Sequence, residues 1–392
     1  MGDIKTELTD KFAEIFGSND DVKIFFAPGR VNLIGEHTDY NGGHVFPCAL
    51  SIGTYGAARK RSDRRLRFYS LNFEEEGVIE GNLEELKYNS DDKWTNYPKG
   101  VIWALKERGY EAECGMDILV YGNIPNGSGL SSSASIEVLT GFMCRALFGF
   151  DVSLQDLAII GQEAENKYIG VNCGIMDQFA IAMGREEHAI FLDTSNLKYE
   201  YVPLKMDGVK IVISNTNKKR GLADSKYNER RSQCEAALSD LKTKLNIESL
   251  GELTEAEFEK SKSLIKDEIN AKRAKHAVYE NQRTIKAVAD LEKNDIESFG
   301  KLMNDSHVSL RDDYEVTGIE LDTLAEEAWK QEGVIGSRMT GAGFGGCAVS
   351  LVKEECVESF IKNVGEAYEK KIGHKADFYV VSVGGGPRII NN

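Results

Sequence analysis

Two carboxylates and an imidazole fall within four residues, at Glu36, His37 and Asp39. They sit in residues 29–43, Gly-Arg-Val-Asn-Leu-Ile-Gly-Glu-His-Thr-Asp-Tyr-Asn-Gly-Gly, where glycines punctuate a dense polar set that includes Arg30. Side chains that both donate and accept hydrogen bonds suit a ligand rich in hydroxyls, such as a sugar. Any one of the three alone reads as part of a solvated turn. Together, behind the apolar stretch 23–27, they read as a polar-ligand site.

A second chemical stretch is residues 123–135, Asn-Ile-Pro-Asn-Gly-Ser-Gly-Leu-Ser-Ser-Ser-Ala-Ser. The alternation in 116–121 predicts a strand before it, and Ile136, Leu139, Met143 and Leu147 predict a helix after it. A helix start offers unpaired N–H groups and about half a positive charge. Gly127 and Gly129 allow the backbone to approach an anion, and Ser131, Ser132 and Ser133 can add hydroxyls or coordinate a cation. A serine N-cap with no ligand is the plain alternative. No Walker A lysine motif occurs in the chain.

The third stretch, residues 337–351, contains Gly341, Gly343 and Gly346 in a G-x-G-x-x-G pattern. A dinucleotide fold would need a helix next, but 347–352 reads as a strand, so the pattern predicts a glycine turn. Asp177 reads locally as the N-cap of a helix over 178–183, and Tyr227 as an ordinary helix tyrosine. The run Arg59-Lys60-Arg61-Ser62-Asp63-Arg64-Arg65-Leu66-Arg67 reads as a solvated hairpin or edge strand.

The elements that must carry these groups follow from periodicity. An amphipathic helix is expected over 4–16. A buried strand over 23–27 is expected to end at Pro28-Gly29. Helices are expected over 94–109, 153–167 and much of 222–330. At 392 residues the chain predicts two domains, divided as 1–205 and 206–392. A net charge of -15 argues against a nucleic-acid partner. No apolar run is long enough for a membrane span. Seven scattered cysteines without a CxxC pair suggest free thiols in a reducing, cytoplasmic setting.

Residues 28–43, from Pro28 to Gly43, resemble the galactokinase signature. Gly-Leu-Ser-Ser-Ser-Ala at 129–134 resembles the phosphate loop of the wider GHMP small-molecule kinase superfamily. Met-Thr-Gly-Ala-Gly-Phe-Gly-Gly at 339–346 resembles that superfamily's third motif. The three stand in family order along the chain.

The resemblance implies an α+β, two-domain GHMP kinase, with an N-terminal ribosomal S5 domain 2-like domain and a C-terminal ferredoxin-like domain. It implies transfer of the ATP γ-phosphoryl group to O1 of α-D-galactose by a monomer that engages neither nucleic acid nor membrane. By position, Glu36, His37, Thr38, Asp39, Gly174, Asp177 and Tyr227 would bind the sugar. Ser70, Gly127, Ser128, Gly129, Leu130, Ser131, Ser132 and Ser133 would bind the nucleotide. Ser133 and Glu165 would hold Mg²⁺, and Arg30 and Asp177 would be the catalytic pair. Phosphoryl transfer through a loose transition state does not require early proton removal. Asp177 is therefore expected to orient the sugar hydroxyl and take its proton late. The rivals are kinases for N-acetylgalactosamine or arabinose, and a non-catalytic galactose sensor; the complete serine-alanine loop disfavours the sensor.

Overall fold

The computed structural model describes residues 2–124, 129–204, 206–218 and 223–390. A six-stranded sheet runs in the order Arg388–Ile389, Lys23–Asn32, Pro47–Lys60, Met116–Gly122, Arg65–Ser70, Ile79–Asn82. Only the pairing of Arg65–Ser70 with Met116–Gly122 is parallel within it. One face is covered by the helices Asn96–Glu107, Ser132–Phe148, Leu154–Glu163 and Met176–Ala182, over a core that includes Phe25, Phe68, Val101, Leu139 and Phe179. Burying each such side chain contributes about 1.5–3 kcal/mol. The helix Gly2–Phe16 lays Leu8, Phe12 and Phe16 on the other face, as the sequence periodicity requires.

The second sheet is antiparallel, in the order Val334–Thr340, Cys347–Lys353, Val209–Asn215, Asp377–Val381. Helices including Ala223–Leu241, Glu268–Glu292, Ile296–Ser309 and Val357–Ile372 pack around it. A small third sheet joins His44–Val45, His188–Asp193 and Lys198–Pro203. The chain then crosses back, because its last strand, Arg388–Ile389, pairs with Lys23–Asn32.

Two sequence expectations change. The strand expected to stop at Pro28-Gly29 continues to Asn32. Its register slips between Pro28 and Arg30, a bulge that accommodates a proline without an N–H and bends the strand. The basic run is neither a solvated hairpin nor an edge strand, because Pro47–Lys60 and Arg65–Ser70 lie inside the sheet with Met116–Gly122 between them. Arg59, Arg61 and Arg67 all close on Asp117, whose side chain is 1% exposed.

Candidate active site

The bulge after Pro28 sends the Arg30 side chain across to the first turn of Met176–Ala182. Arg30 Nε and Nη2 donate to the two oxygens of Asp177 at 2.7 and 2.8 Å, and Nη1 donates to the Gly129 carbonyl at 2.7 Å. The Ser131 hydroxyl also donates to Asp177. A two-pronged pairing of this kind fixes the carboxylate in direction as well as place. Arg30 is covered while the Asp177 side chain stays 32% exposed, at the wall of a cavity of about 220 Å³. Asp177 therefore does not act as a helix cap. The N-cap position belongs to Ile175, and the aspartate is committed to Arg30 and Ser131.

One side of the cavity is the loop that follows Lys23–Asn32. Glu36 is 1% exposed, and its Oε1 accepts from Gly341 N at 2.8 Å, Thr340 Oγ1 at 3.0 Å and Arg338 Nη1 at 3.3 Å. His37 has a left-handed backbone, φ 61°, and its ring packs among Tyr40, Tyr227 and Tyr314. Its Nδ1 shares a hydrogen bond with the Tyr40 hydroxyl at 2.7 Å, while the buried Nε2 has no side-chain partner among the described residues. Burial, and then the charge of His276, push its pKa down to about 3, so the ring is neutral. Asp39 has no such cationic partner. Desolvation, and then the charge of Asp177, push its carboxyl up to about 6. Its Oδ2 would lie 1.7 Å from a Cβ placed on Gly174, so only glycine lets the two approach. Tyr227 closes the wall, its phenol held protonated chiefly by burial. Thr38 was expected at the ligand. Its hydroxyl instead donates to the Gly35 and His44 carbonyls at 2.9 and 2.7 Å, and the residue is fully buried, so it shapes the loop from inside.

The opposite side is the start of Ser132–Phe148. Gly129, at φ 78°, and Ser131, Ser132 and Ser133 line the cavity. Leu130 turns its side chain into the core and offers its carbonyl to Arg30 N at 3.4 Å. Gly127 and Ser128 lie outside the described residues. Ser132 and Ser133 also line a second cavity of about 220 Å³, shared with Ser70, Phe73, Trp94, Tyr97 and Ile136. The sequence reading singles out neither Trp94 nor Tyr97, which open the stretch read there as a helix over 94–109. The glycine turn between Val334–Thr340 and Cys347–Lys353 brings Gly341 and Ala342 to the first cavity.

Glu165 stands in a wide π-turn, Ala164–Ile169, that extends Leu154–Glu163. Gln178 Nε2 donates to Glu165 at 2.8 Å and to the fully buried Glu137 at 2.9 Å. Burial and then the Asp177 charge push Glu165 up to about 7, and burial with Glu165 pushes Glu137 well above the carboxylate range. Two buried acids held by one neutral amide favour a cation beside them. Ser133 and Glu165 both line the cavity, so their oxygens fit a hard divalent ion. Among the described residues no group of three His, Cys, Asp or Glu could hold a metal, so such an ion would take its other ligands from phosphate and water. Cys48, Cys114, Cys144, Cys173, Cys234 and Cys356 are free thiols, and no described helix is long and apolar enough to cross a membrane.

A family model described as the galactokinase galactose-binding signature matches residues 10–60. Models for the N-terminal and C-terminal GHMP kinase domains match 96–185 and 287–370. A galactokinase of Clostridium beijerinckii is 62% identical over 387 residues, 99% of this chain and 98% of its own. One of Ligilactobacillus salivarius is 59% identical over 98% of this chain and all of its own. The crystal structure of Lactococcus lactis galactokinase complexed with galactose superposes with a TM-score of 0.97 at 52% identity, covering 99% of this chain and 100% of that one. Methanococcus jannaschii mevalonate kinase, at 20% identity and a TM-score of 0.65 over 92% and 98% of the two chains, shares the fold. The chain thus belongs to the galactokinase family of the GHMP kinases.

Proposed function

We propose that this protein transfers the γ-phosphoryl group of ATP to O1 of α-D-galactose, giving galactose 1-phosphate and ADP. The observation that carries the reading is the Arg30–Asp177 fork. It lies between a wall of sugar-type donors and acceptors, Glu36, His37, Asp39 and Tyr227, and a wall built from a serine-rich helix start. Galactose sits against the first wall and the triphosphate against the second. The adenine base lies in the aromatic cavity of Trp94 and Tyr97, beside Ser70.

In the transfer, the O1–Pγ bond forms and the bond from Pγ to the β-bridging oxygen breaks. The O1 proton passes to a carboxylate oxygen of Asp177. Arg30 keeps that carboxylate aimed and adds positive charge where the transferred group becomes most anionic. The Ser132–Phe148 N-terminus supplies N–H groups to the phosphates. Mg²⁺ held by Ser133 and Glu165 would neutralise phosphate charge. Asp177 orients O1 first and receives its proton late. In this reading the protein acts as a monomer in the cytoplasm.

The test is ADP release with Mg-ATP and galactose, glucose, N-acetylgalactosamine or arabinose in parallel, with Asp177→Asn alongside. Galactose should turn over well above the rest, and Asp177→Asn should lose about 10²-fold or more. Preference for another sugar would reassign the substrate. Galactose binding without turnover would make the chain a sensor.

A further inference from the structure

We infer that Arg338 is a positioning residue for the sugar, acting through Glu36. Arg338 lies on Val334–Thr340, in the second sheet, and is fully buried. Its Nη1 donates to Glu36 Oε1 at 3.3 Å and to the Asn32 carbonyl at 3.0 Å, and its Nε donates to Ser306 Oγ at 3.1 Å. Glu36 is nearly as buried, and Gly341 N and the Thr340 hydroxyl, whose one proton is shared with the Asn32 carbonyl, complete three donors on the same oxygen. Oε1 is thereby saturated, and Oε2 is left for a ligand in the cavity that Glu36 lines.

The arrangement continues behind the loop. Ser306 Oγ donates to Glu280 Oε1 at 2.5 Å, and the same oxygen accepts from Gly35 N at 3.0 Å, one residue before Glu36. Arg283 pairs with Glu280 from the far side. Acid and base alternate from the second lobe to the sugar wall of the first. Stability alone does not require this. Arg338 Nη2 is buried with no partner among the described residues, which is costly, and a buried ion pair can often be replaced by apolar side chains without loss. The arrangement accounts for the arginine as the group that orients Glu36. It ties the strand that leads into the glycine turn to the sugar side of the cavity.

The inference rests on the reading that Glu36 contacts the sugar, and one experiment separates the two. Galactose affinity is measured by calorimetry without nucleotide, and KM for each substrate by turnover, in the native protein, Glu36→Gln, Arg338→Lys, Thr340→Val and the Glu36→Gln/Arg338→Lys double variant. One hydrogen bond to a buried charge corresponds to about tenfold in affinity. Arg338→Lys should weaken galactose about tenfold and leave KM for ATP within about twofold. Thr340→Val should move galactose the same way by about threefold, which keeps the test alive if Arg338→Lys does not fold. The double variant should be little worse than Glu36→Gln. Across singly deoxygenated galactoses, the Arg338→Lys penalty should vanish for one sugar, the one lacking the hydroxyl that Glu36 holds. Equal shifts in both KM values, or unchanged galactose affinity in Arg338→Lys while Glu36→Gln loses it, would overturn the inference. Unchanged affinity in Glu36→Gln would remove its premise instead.

Discussion

Asp39 and Asp177 share one cavity wall but differ in their company. Asp177 is held by a guanidinium and a hydroxyl. Asp39 has no cation close by, and its carboxyl is pushed up to about 6 by desolvation and by the charge of Asp177. Between the ordinary aspartate range and about pH 6, the sugar-free native state binds more protons at Asp39 than the unfolded chain does. This group therefore takes stability away as pH rises through that window. In the proposed reading the sugar takes the Asp39 carboxylate as an acceptor, so the sign there is opposite. Galactose affinity, measured by calorimetry without nucleotide, should fall below about pH 6, approaching tenfold per pH unit, and Asp39→Asn should flatten the profile. His37, at about 3, stays neutral throughout. Glu165, at about 7, is assigned to the nucleotide side in the proposed reading, which this measurement leaves out. A flat native profile would show that Asp39 does not accept from the sugar as an anion. At this scale the sequence was legible in clusters and not in pairs. Glu36, His37 and Asp39 announce themselves by density. Arg30 and Asp177 lie 147 residues apart, and nothing local tells a paired aspartate from a helix cap.

At the scale of elements, the basic run from Arg59 to Arg67 shows how composition can mislead. Consecutive strand residues point to opposite faces, so Arg59, Arg61 and Arg67 share one side and meet a carboxylate from a neighbouring strand. Asp117 accepts from Arg67 at 2.7 and 2.8 Å, from Arg61 at 2.8 Å and from Arg59 at 3.0 Å. Burial alone would raise its pKa, but the three guanidiniums outweigh burial and hold it below the usual range. Its stabilisation is complete above the ordinary aspartate range and fades as pH falls through it. Asp117→Asn would leave three arginines facing each other, at a cost of about 3 kcal/mol or more. Urea unfolding at pH 7 should show that loss, while KM for galactose in the folded variant stays unchanged. A loss under 1 kcal/mol would mean that solvent already screens the cluster. Helices such as Gly2–Phe16 were readable because 3.6-residue periodicity is a local signal. The bulge after Pro28 and the partners of the basic run depend on which strand lies next, and that is fixed only by tertiary pairing.

At the scale of the whole molecule, the division expected near residue 205 does not divide the core. Val31, Leu33, Phe46 and Leu130 from the first lobe pack in one buried cluster with Ile211, Phe299, Met303, Val349 and Leu351 from the second. The backbone also returns, with Ser51 N donating to Ser382 O at 2.9 Å, Gly384 N to Ala49 O at 2.8 Å, and Ile390 N to Ile24 O at 2.8 Å. Arg388 caps the face of Phe26 at 4.3 Å. Neither lobe can open without exposing part of a core common to both, and the Glu36–Arg338 contact crosses the same boundary. The lobes should therefore melt together. Calorimetry should give one transition of about 270 kcal/mol near 60 °C, with a van't Hoff enthalpy equal to the calorimetric one. Galactose at 100 times its Kd should add about 2.7 kcal/mol and shift that whole transition upward, because in the proposed site a ligand held mainly by first-lobe residues stabilises everything coupled to them. Two resolved transitions, with galactose moving only one, would mean that the shared cluster is too weak to bind the lobes into one cooperative unit.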